Sequence, residues 1–307
     1  MKNNLLKYHC CFIVLHYKTI EDTRVCVNSI LKLEDAENSV IVIIDNSFTV
    51  SDTGTLLKSE FKNIPQIFVI PNKENTFFSF GNNLGYAFAK RLGAEFVIMT
   101  NNDIIFPQRD FYKKVKRKMN KSQFFICGPN ILDLTSECAT SPIAWECLTE
   151  KEAEQDIVFY MKECEKIKRG GGKTKETIIE YKQKCPGILK QINRLQIELW
   201  KLIKIKYGKK NYPVLQGSCI IASWLFIEKN DKIFVPETEF YGEEQLLAFR
   251  CRKAGYKMVY AGNIKVLHKG GISVAYDYAD LKERKLLTYQ RIIKAREAYI
   301  KYINIKD

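Results

Sequence analysis

Apolar and polar positions fall in blocks along the first hundred residues. Cys10–Leu15, Val40–Ile44, Gln66–Ile70 and Glu95–Thr100 are short, nearly unbroken apolar runs, the pattern of strands buried on both faces. Between them, Thr19–Leu33 spaces Val25, Ile30 and Leu33 at roughly helical intervals. Ser51–Phe61 reads as a helix with a Ser or Asp cap, and Asn83–Leu92 is helical. Strands alternating with helices predict an α/β fold with a mostly parallel sheet built from βαβ units. Phe124–Asn130 is a fifth strand, after which the character changes. Glu146–Lys168 is charged and helical, Gly170-Gly171-Gly172 is a joint, and Thr174–Tyr207 is helical and strongly basic. Val214–Leu225 returns to apolar, strand-like sequence. A helix over Gly242–Ala254, short strands at Tyr256–Tyr260 and Lys265–His268, and a long helix from Ala279 to Ile303 complete the chain.

The strand ends carry more information than the strands. The runs stop in His16-Tyr17, in Asp45-Asn46-Ser47, in Pro71-Asn72 and in Asn101-Asn102-Asp103. In open α/β sheets the carboxyl edge is where ligands bind, so four polar ends predict a site assembled from several loops. Loops are polar in any case. The isolated carboxylates Asp45 and Asp103, each just past an apolar run, are what favour a site.

Charge adds a partner class. The 307 residues include 49 Lys plus Arg against 35 Asp plus Glu, a formal +14, which favours nucleic acid, phosphorylated small molecules or an anionic membrane surface. A hydrophobic fraction of 46% excludes a disordered chain. The 10 cysteines include no Cys-x-x-Cys pair and several lie in apolar runs, which reads as reduced core thiols of a cytoplasmic protein. Cys10–Leu15 is short for a signal peptide and no small-residue cleavage site follows it. The longest uncharged stretch, Asn211–Ile227, has 17 residues, fewer than the roughly 20 a membrane helix needs, so no transmembrane span is expected.

Three segments together resemble the inverting family 2 glycosyltransferases, which have the GT-A fold, and most closely the rhamnosyltransferase-like branch that builds bacterial surface polysaccharides. The first is Ile13-Val14-Leu15-His16-Tyr17 with Ile43-Ile44-Asp45-Asn46-Ser47. The second is Gly81-Asn82-Asn83-Leu84-Gly85 with Phe96-Val97-Ile98-Met99-Thr100-Asn101-Asn102-Asp103. The third is Phe240-Tyr241-Gly242-Glu243-Glu244, with Arg250 and Gly255-Tyr256 behind it, then Val266-Leu267-His268, Gly270-Gly271 and Ser273. Any one motif is weak, and their common order carries the resemblance.

The resemblance implies a GT-A, Rossmann-like sheet flanked by helices, and transfer of a sugar from a UDP- or dTDP-linked donor to a glycan or lipid-linked saccharide. His16, Tyr17, Asp45, Asn83 and Asn102 would line the nucleotide. A carboxylate at Asp45 accepts only, which suits a uracil or thymine N–H. The competing reading of Asp45 is a capping residue or an Asx-turn. Asp103 matches the last acid of the family's metal motif and His268 is a second ligand or a diphosphate contact. The cofactor would be Mn²⁺ or Mg²⁺, held by few protein groups plus phosphate oxygens and water. Asn101 and Asn102 replace the motif's first acid. Glu244 aligns with the general base and Glu243 with an acceptor-binding or supporting acid; a pair of acids favoured by a helix N-terminus is the plainer account. Gln216, Gly217 and Arg250 fall on the acceptor side. Trp145 and Trp224 are read as core residues before sugar platforms.

The basicity is localised. Lys166–Lys210 holds 14 basic and 3 acidic residues, which is +11 of the +14. Within it Ile188, Ile192, Leu195, Leu199, Leu202 and Ile203 share one helical face, opposite Lys190, Arg194, Lys201 and Lys204. Such a helix suits an anionic membrane, packing on the catalytic domain, or self-association into a homo-oligomer. No nucleic-acid module is recognisable, so nucleic acid is not an expected partner. The expected organisation is 1–145 as a nucleotide-sugar half, 146–211 as the basic insertion, 212–278 as the acceptor and catalytic half, and 279–307 as a basic C-terminal helix. A cytoplasmic enzyme, peripheral at the inner face of the cell membrane, is one expectation. A non-catalytic sugar-nucleotide or glycan-binding assembly subunit is the other.

Overall fold

The computed structural model describes residues 7–47, 49–73, 75–169, 212–236, 238–270 and 281–305. The insertion's basic helix, Cys185, Gly271 and Ser273 lie outside these residues. The first half runs β1 (Tyr8–His16), α1 (Ile20–Leu31), β2 (Ser39–Asp45), α2 (Thr53–Glu60), β3 (Ile67–Pro71), α3 (Phe77–Leu92) and β4 (Ala94–Asn101). It continues through β5 (Ile104–Ile105), α4 (Phe111–Ser122), β6 (Ile126–Asp133), β7 (Cys138–Ala139) and α5 (Glu150–Lys168). The second half has β8 (Cys219–Ser223), α6 (Trp224–Lys229), α7 (Glu243–Lys253), β9 (Met258–His268) and α8 (Leu281–Ile303).

One sheet holds all the strands in the order β3-β2-β1-β4-β8-β6-β9-β5, with β7 paired to β6. Strands β1 to β4 are mutually parallel, as are β6 and β9. β8 runs antiparallel to both β4 and β6, and so joins the two parallel sets. The fold is the expected α/β class with a mostly parallel sheet. The two expected halves share it, because β8 from the second lies between β4 and β6 of the first.

The apolar runs serve both faces. Along β1, Cys10, Phe12 and Val14 pack with α1 and α4, while Cys11 and Ile13 pack with α3, α6 and α7. β2 and β4 divide in the same alternating way, which is why the runs are apolar at nearly every position. α3 lies close on the sheet because of its glycines: a Cβ at Gly81 would stand 2.6 Å from Leu15 Cδ1, and one at Gly85 2.4 Å from Ile13 Cγ2. α5 opens with a capping box, in which Thr149 and Glu152 satisfy each other's backbone N–H groups. α8 packs against α5 and α7 around Ala153, Leu246 and Tyr299, and the Tyr299 hydroxyl donates to Leu148 O at 2.7 Å.

Several expectations are adjusted. α3 begins at Phe77, ahead of the expected start at Asn83 by more than one and a half turns. Val214–Leu225 is an isolated bridge at Val214, then β8, then the start of α6. Tyr256–Tyr260 and Lys265–His268 belong to one irregular strand, β9, with a register shift opposite Pro129/Asn130. Among the described residues all nine cysteines are free, and eight of them are buried. No described helix is long and apolar enough to cross a membrane.

Candidate active site

Strand directions bring distant residues to one edge. His16, Asp45, Asn101, Asp133 and His268 end, respectively, β1, β2, β4, β6 and β9. The amino end of antiparallel β8 reaches the same edge, where Asn101 N donates to Ser218 O at 3.0 Å. Gly217, one residue earlier, donates its N–H to Glu244 Oε1 at 3.2 Å. A backbone path therefore runs from the Asp103 loop to the Glu243-Glu244 pair.

Asp103 is 4% exposed and follows the end of β4 by two residues. Its Oδ2 lies 3.2 Å from His268 Nε2, and its Oδ1 is buried without a hydrogen-bond partner. On the far side of the ring, Asp133 Oδ2 stands 3.6 Å from His268 Nδ1. Burial pulls the His268 pKa down, but the hydrogen bond to Asp103 and the charges of Asp103 and Asp133 outweigh it and hold the imidazole above its ordinary value. Next along, Lys269 Nζ pairs with Asp22 at 2.8 Å.

An unpartnered buried carboxylate oxygen beside an imidazole fits a divalent cation of the Mn²⁺ type, which accepts both donor kinds. Among the described residues no group of three or more His, Cys, Asp or Glu is gathered to hold a metal. Asp103 and His268 would thus be its protein ligands, with phosphate oxygens and water completing the shell. Beside them, the Asn102 amide nitrogen donates to Thr19 O, Thr19 Oγ1 and Thr23 Oγ1.

Glu243 and Glu244 form the first turn of α7, where the helix dipole favours acids. Glu243 is 6% exposed and its Oε2 accepts from the Thr238 hydroxyl at 3.3 Å. Burial, then the neighbouring Glu244, pushes its pKa well above the usual carboxylate range. Glu244 is half-buried and is also raised, chiefly by burial, against the opposing pull of its backbone hydrogen bonds and the charge of Arg296. Of the pair, Glu244 is the more exposed. Gln216, one residue before Gly217, accepts at Oε1 from the Thr140 and Ser218 hydroxyls.

The remaining expected residues are placed as follows. Asp45 Oδ1 accepts from Ser47 N at 2.9 Å and from Ser47 Oγ at 2.8 Å, the Asx-turn. His16 is fully buried, with Nδ1 2.7 Å from Thr23 Oγ1 and Nε2 2.8 Å from Thr53 Oγ1. Burial drives its pKa down to about 4 against the pull of Asp45, so the ring is neutral at pH 7. Tyr17 is partly exposed, with Lys18 Nζ 5.0 Å from its ring centre. Asn83 holds the segment before α7 through Ile233 N, Phe234 N and Phe234 O. Arg250 grips the same segment through Ile233 O, Lys232 O and Asn230 Oδ1. Asn83 and Arg250 are therefore brought together as braces of residues 230–234. Trp145 meets Tyr260 edge to face.

Asp133 and Thr238 belong to none of the motifs. Asp133 ends a strand on the same edge as Asp103, a position the sequence makes legible. Thr238 has no local signal, because its role depends on the turn before α7.

No protein-family model matches the chain, and no curated protein matches it. Solved structures do match in fold. Staphylococcus aureus TarS 1–349 in complex with UDP-GlcNAc superposes with a TM-score of 0.52 at 12% identity, over 94% of this chain and 66% of that one. The chain thus spans just under two thirds of that structure. The mannosyltransferase PcManGT from Pyrobaculum calidifontis, in complex with GDP-Man and Mn²⁺, gives 0.54 at 11% identity, over 96% and 74%. TarS 1–349 with UDP gives 0.53 at 11%, over 97% and 75%. The fold is that of the GT-A-like glycosyltransferases.

Proposed function

We propose that this chain is an inverting glycosyltransferase that moves a sugar from a nucleotide-diphosphate donor to a glycan or lipid-linked saccharide, in surface-polysaccharide synthesis. The observation that carries the reading is the shared sheet edge, with the Asp103–His268 pair at 3.2 Å on one side and Glu244, fixed by Gly217 N–H at 3.2 Å, on the other. The neighbouring structures support it: TarS is seen with UDP-GlcNAc, and PcManGT with GDP-Man and Mn²⁺.

Glu244 takes the proton of the acceptor hydroxyl. The acceptor oxygen bonds to the anomeric carbon from the face opposite the leaving group. The bond from that carbon to the diphosphate oxygen breaks, and its electron pair leaves on the nucleoside diphosphate. A divalent cation, when bound, neutralises the charge of that leaving group. Asp103 and His268 would hold it on the leaving side, and the buried Glu243, its carboxyl pKa raised by burial and by the neighbouring Glu244, backs Glu244. The Asp45 turn and Tyr17 line the nucleotide end. Attachment to an anionic membrane through the basic insertion belongs to the same proposal.

The test is nucleoside diphosphate release from a panel of UDP-, dTDP- and GDP-sugars with Mn²⁺ or Mg²⁺ and candidate saccharide acceptors. Turnover with at least one donor is expected, and Glu244→Gln lowers it about a hundred- to ten-thousand-fold with donor binding retained. Donor binding without transfer across the panel favours the non-catalytic binder, for which the loss of the motif's first acid at Asn101-Asn102 speaks. Failure to bind any donor sinks both.

A further inference from the structure

Helix α8 carries a second constellation beside the acid pair. The Arg291 side chain is 15% exposed and its guanidinium carbon lies 4.6 Å from the Phe240 ring centre and 5.7 Å from that of Phe77. Its Nε is buried and has no hydrogen-bond partner among the described residues. The Glu239 carboxylate stands 4.0 Å from this Nε and 3.8 Å from Lys294 Nζ, beyond hydrogen-bond reach of both. Two cations thus share one carboxylate at a distance, and the cluster keeps a net positive charge. The Nε itself is closed to solvent, so a ligand would meet the accessible part of the Arg291 side chain, which lines the adjoining cavity.

Space for a ligand is present at the same point. Thr238, Glu239, Phe240, Arg291 and Lys294 line a cavity of about 200 Å³, and a neighbouring cavity of about 390 Å³ shares Glu239, Arg291 and Lys294. Together they reach the size of small-ligand sites. The cavity also touches the proposed chemistry, since Thr238 in its wall donates to Glu243 Oε2. Residues 238–242 lead straight into the first turn of α7. Arg291 on aromatic faces is pre-organised, and its planar fork suits phosphate or carboxylate oxygens.

We propose that this cavity is an acceptor subsite that binds an anionic substituent, a phosphate or a carboxylate, on the acceptor saccharide. Arg291 and Lys294 engage the anion and the Phe240 ring faces the sugar. The word acceptor rests on the glycosyltransferase reading; the anion site itself does not.

The experiment is calorimetric titration of the full chain with glucose 6-phosphate, mannose 6-phosphate, N-acetylglucosamine 6-phosphate, glucuronate, the parent neutral sugars and inorganic phosphate. At least one anionic sugar is expected to bind about tenfold or more tightly than both its parent sugar and free phosphate. Lys294→Met, at an exposed position, and Arg291→Met each weaken it about tenfold, while UDP or GDP binding is unchanged. Preference for the phosphosugars or for glucuronate identifies the substituent. Equal affinity for charged and neutral sugars overturns the proposal. So does free phosphate binding as tightly as the sugar phosphates, or unaltered anion binding in Lys294→Met with native circular dichroism. Anion binding intact with no nucleotide binding overturns the transferase reading and leaves the anion site standing.

Discussion

Gly217 donates its backbone N–H to Glu244 Oε1 at 3.2 Å, and a Cβ on Gly217 would stand 3.0 Å from that same oxygen and 3.2 Å from Phe78 Cζ. The absence of a side chain at 217 is what lets the segment before β8 hold the carboxylate by a main-chain bond. Main-chain donors are fixed by the fold, so the bond sets where Glu244 points without a second flexible side chain.

Gly217→Ala therefore displaces the Glu244 carboxylate while leaving the Asp103 side alone. We expect kcat for transfer to fall about tenfold to a hundredfold with little change in donor binding. Measured donor affinity and single-turnover transfer separate the two; equal loss of both places Gly217 in the donor site instead.

The buried carboxyl of Glu243 gives a signed pH dependence of stability. Its folded pKa is raised above the ordinary 4.5, chiefly by burial. Between 4.5 and that raised value the folded chain holds a proton that the unfolded chain has lost. The contribution is fully present below 4.5 and declines as pH rises through the folded pKa. Glu243→Gln carries no such proton. Urea unfolding of both proteins over this window is expected to show the variant gaining on the native chain as pH rises; parallel curves refute the burial account.

Much of this arrangement is legible in the sequence, and the reasons differ by element. The runs at Cys10–Leu15 and Val40–Ile44 announce buried parallel strands because both faces are covered, and their polar ends mark the working edge. Asp103 and His268 are legible as motif members, and the fold supplies their contact. The direction of β8 is not legible, since an apolar pentad reads the same both ways, yet it is what delivers Gly217 to Glu244. Asn83 and Arg250 show a further limit. Their motif positions suggest ligand contacts, and in the fold their side chains brace residues 230–234 across long sequence separations that no local pattern encodes.

His16 predicts the opposite pH response. Burial lowers its pKa from 6.5 to about 4, so the native chain resists protonation where the unfolded chain accepts it. Its contribution is present above 6.5 and is lost as pH falls through about 4. The full effect is about 3 kcal/mol. The difference in unfolding free energy between the native chain and His16→Gln, followed from neutral pH downward, reads it. A difference that stays constant with pH contradicts a neutral buried ring.

Metal binding tests the Asp103 and His268 assignment apart from turnover. Asp103→Asn removes the only carboxylate of that pair, and His268→Ala removes the imidazole 3.2 Å away. In the presence of UDP or GDP, each is expected to weaken Mn²⁺ binding about tenfold or more, read by the electron paramagnetic resonance of free Mn²⁺. Unchanged Mn²⁺ affinity in both variants removes the metal from this corner of the sheet.

Helix α8 abuts the turn that precedes Glu243 and Glu244. Gly242 has φ +83° and caps α7, and a Cβ there would lie 2.9 Å from Ala295 Cβ on α8. Gly255 has a comparable φ of +67° but no atom within 4 Å of the same construction. Alanine at either position incurs the left-handed backbone cost of about 1–2 kcal/mol. Only Gly242→Ala adds the overpacking against α8, about another 1–3 kcal/mol. The difference between the two variants in urea midpoint thus isolates the α8 contact from backbone strain. Gly242 also immediately precedes Glu243, so relief of the clash must shift either α8 or the acid pair. Transfer should fall in Gly242→Ala and persist in Gly255→Ala. Equal destabilisation of both variants, with transfer intact in each, shows that α8 is not fastened to the turn that precedes Glu243.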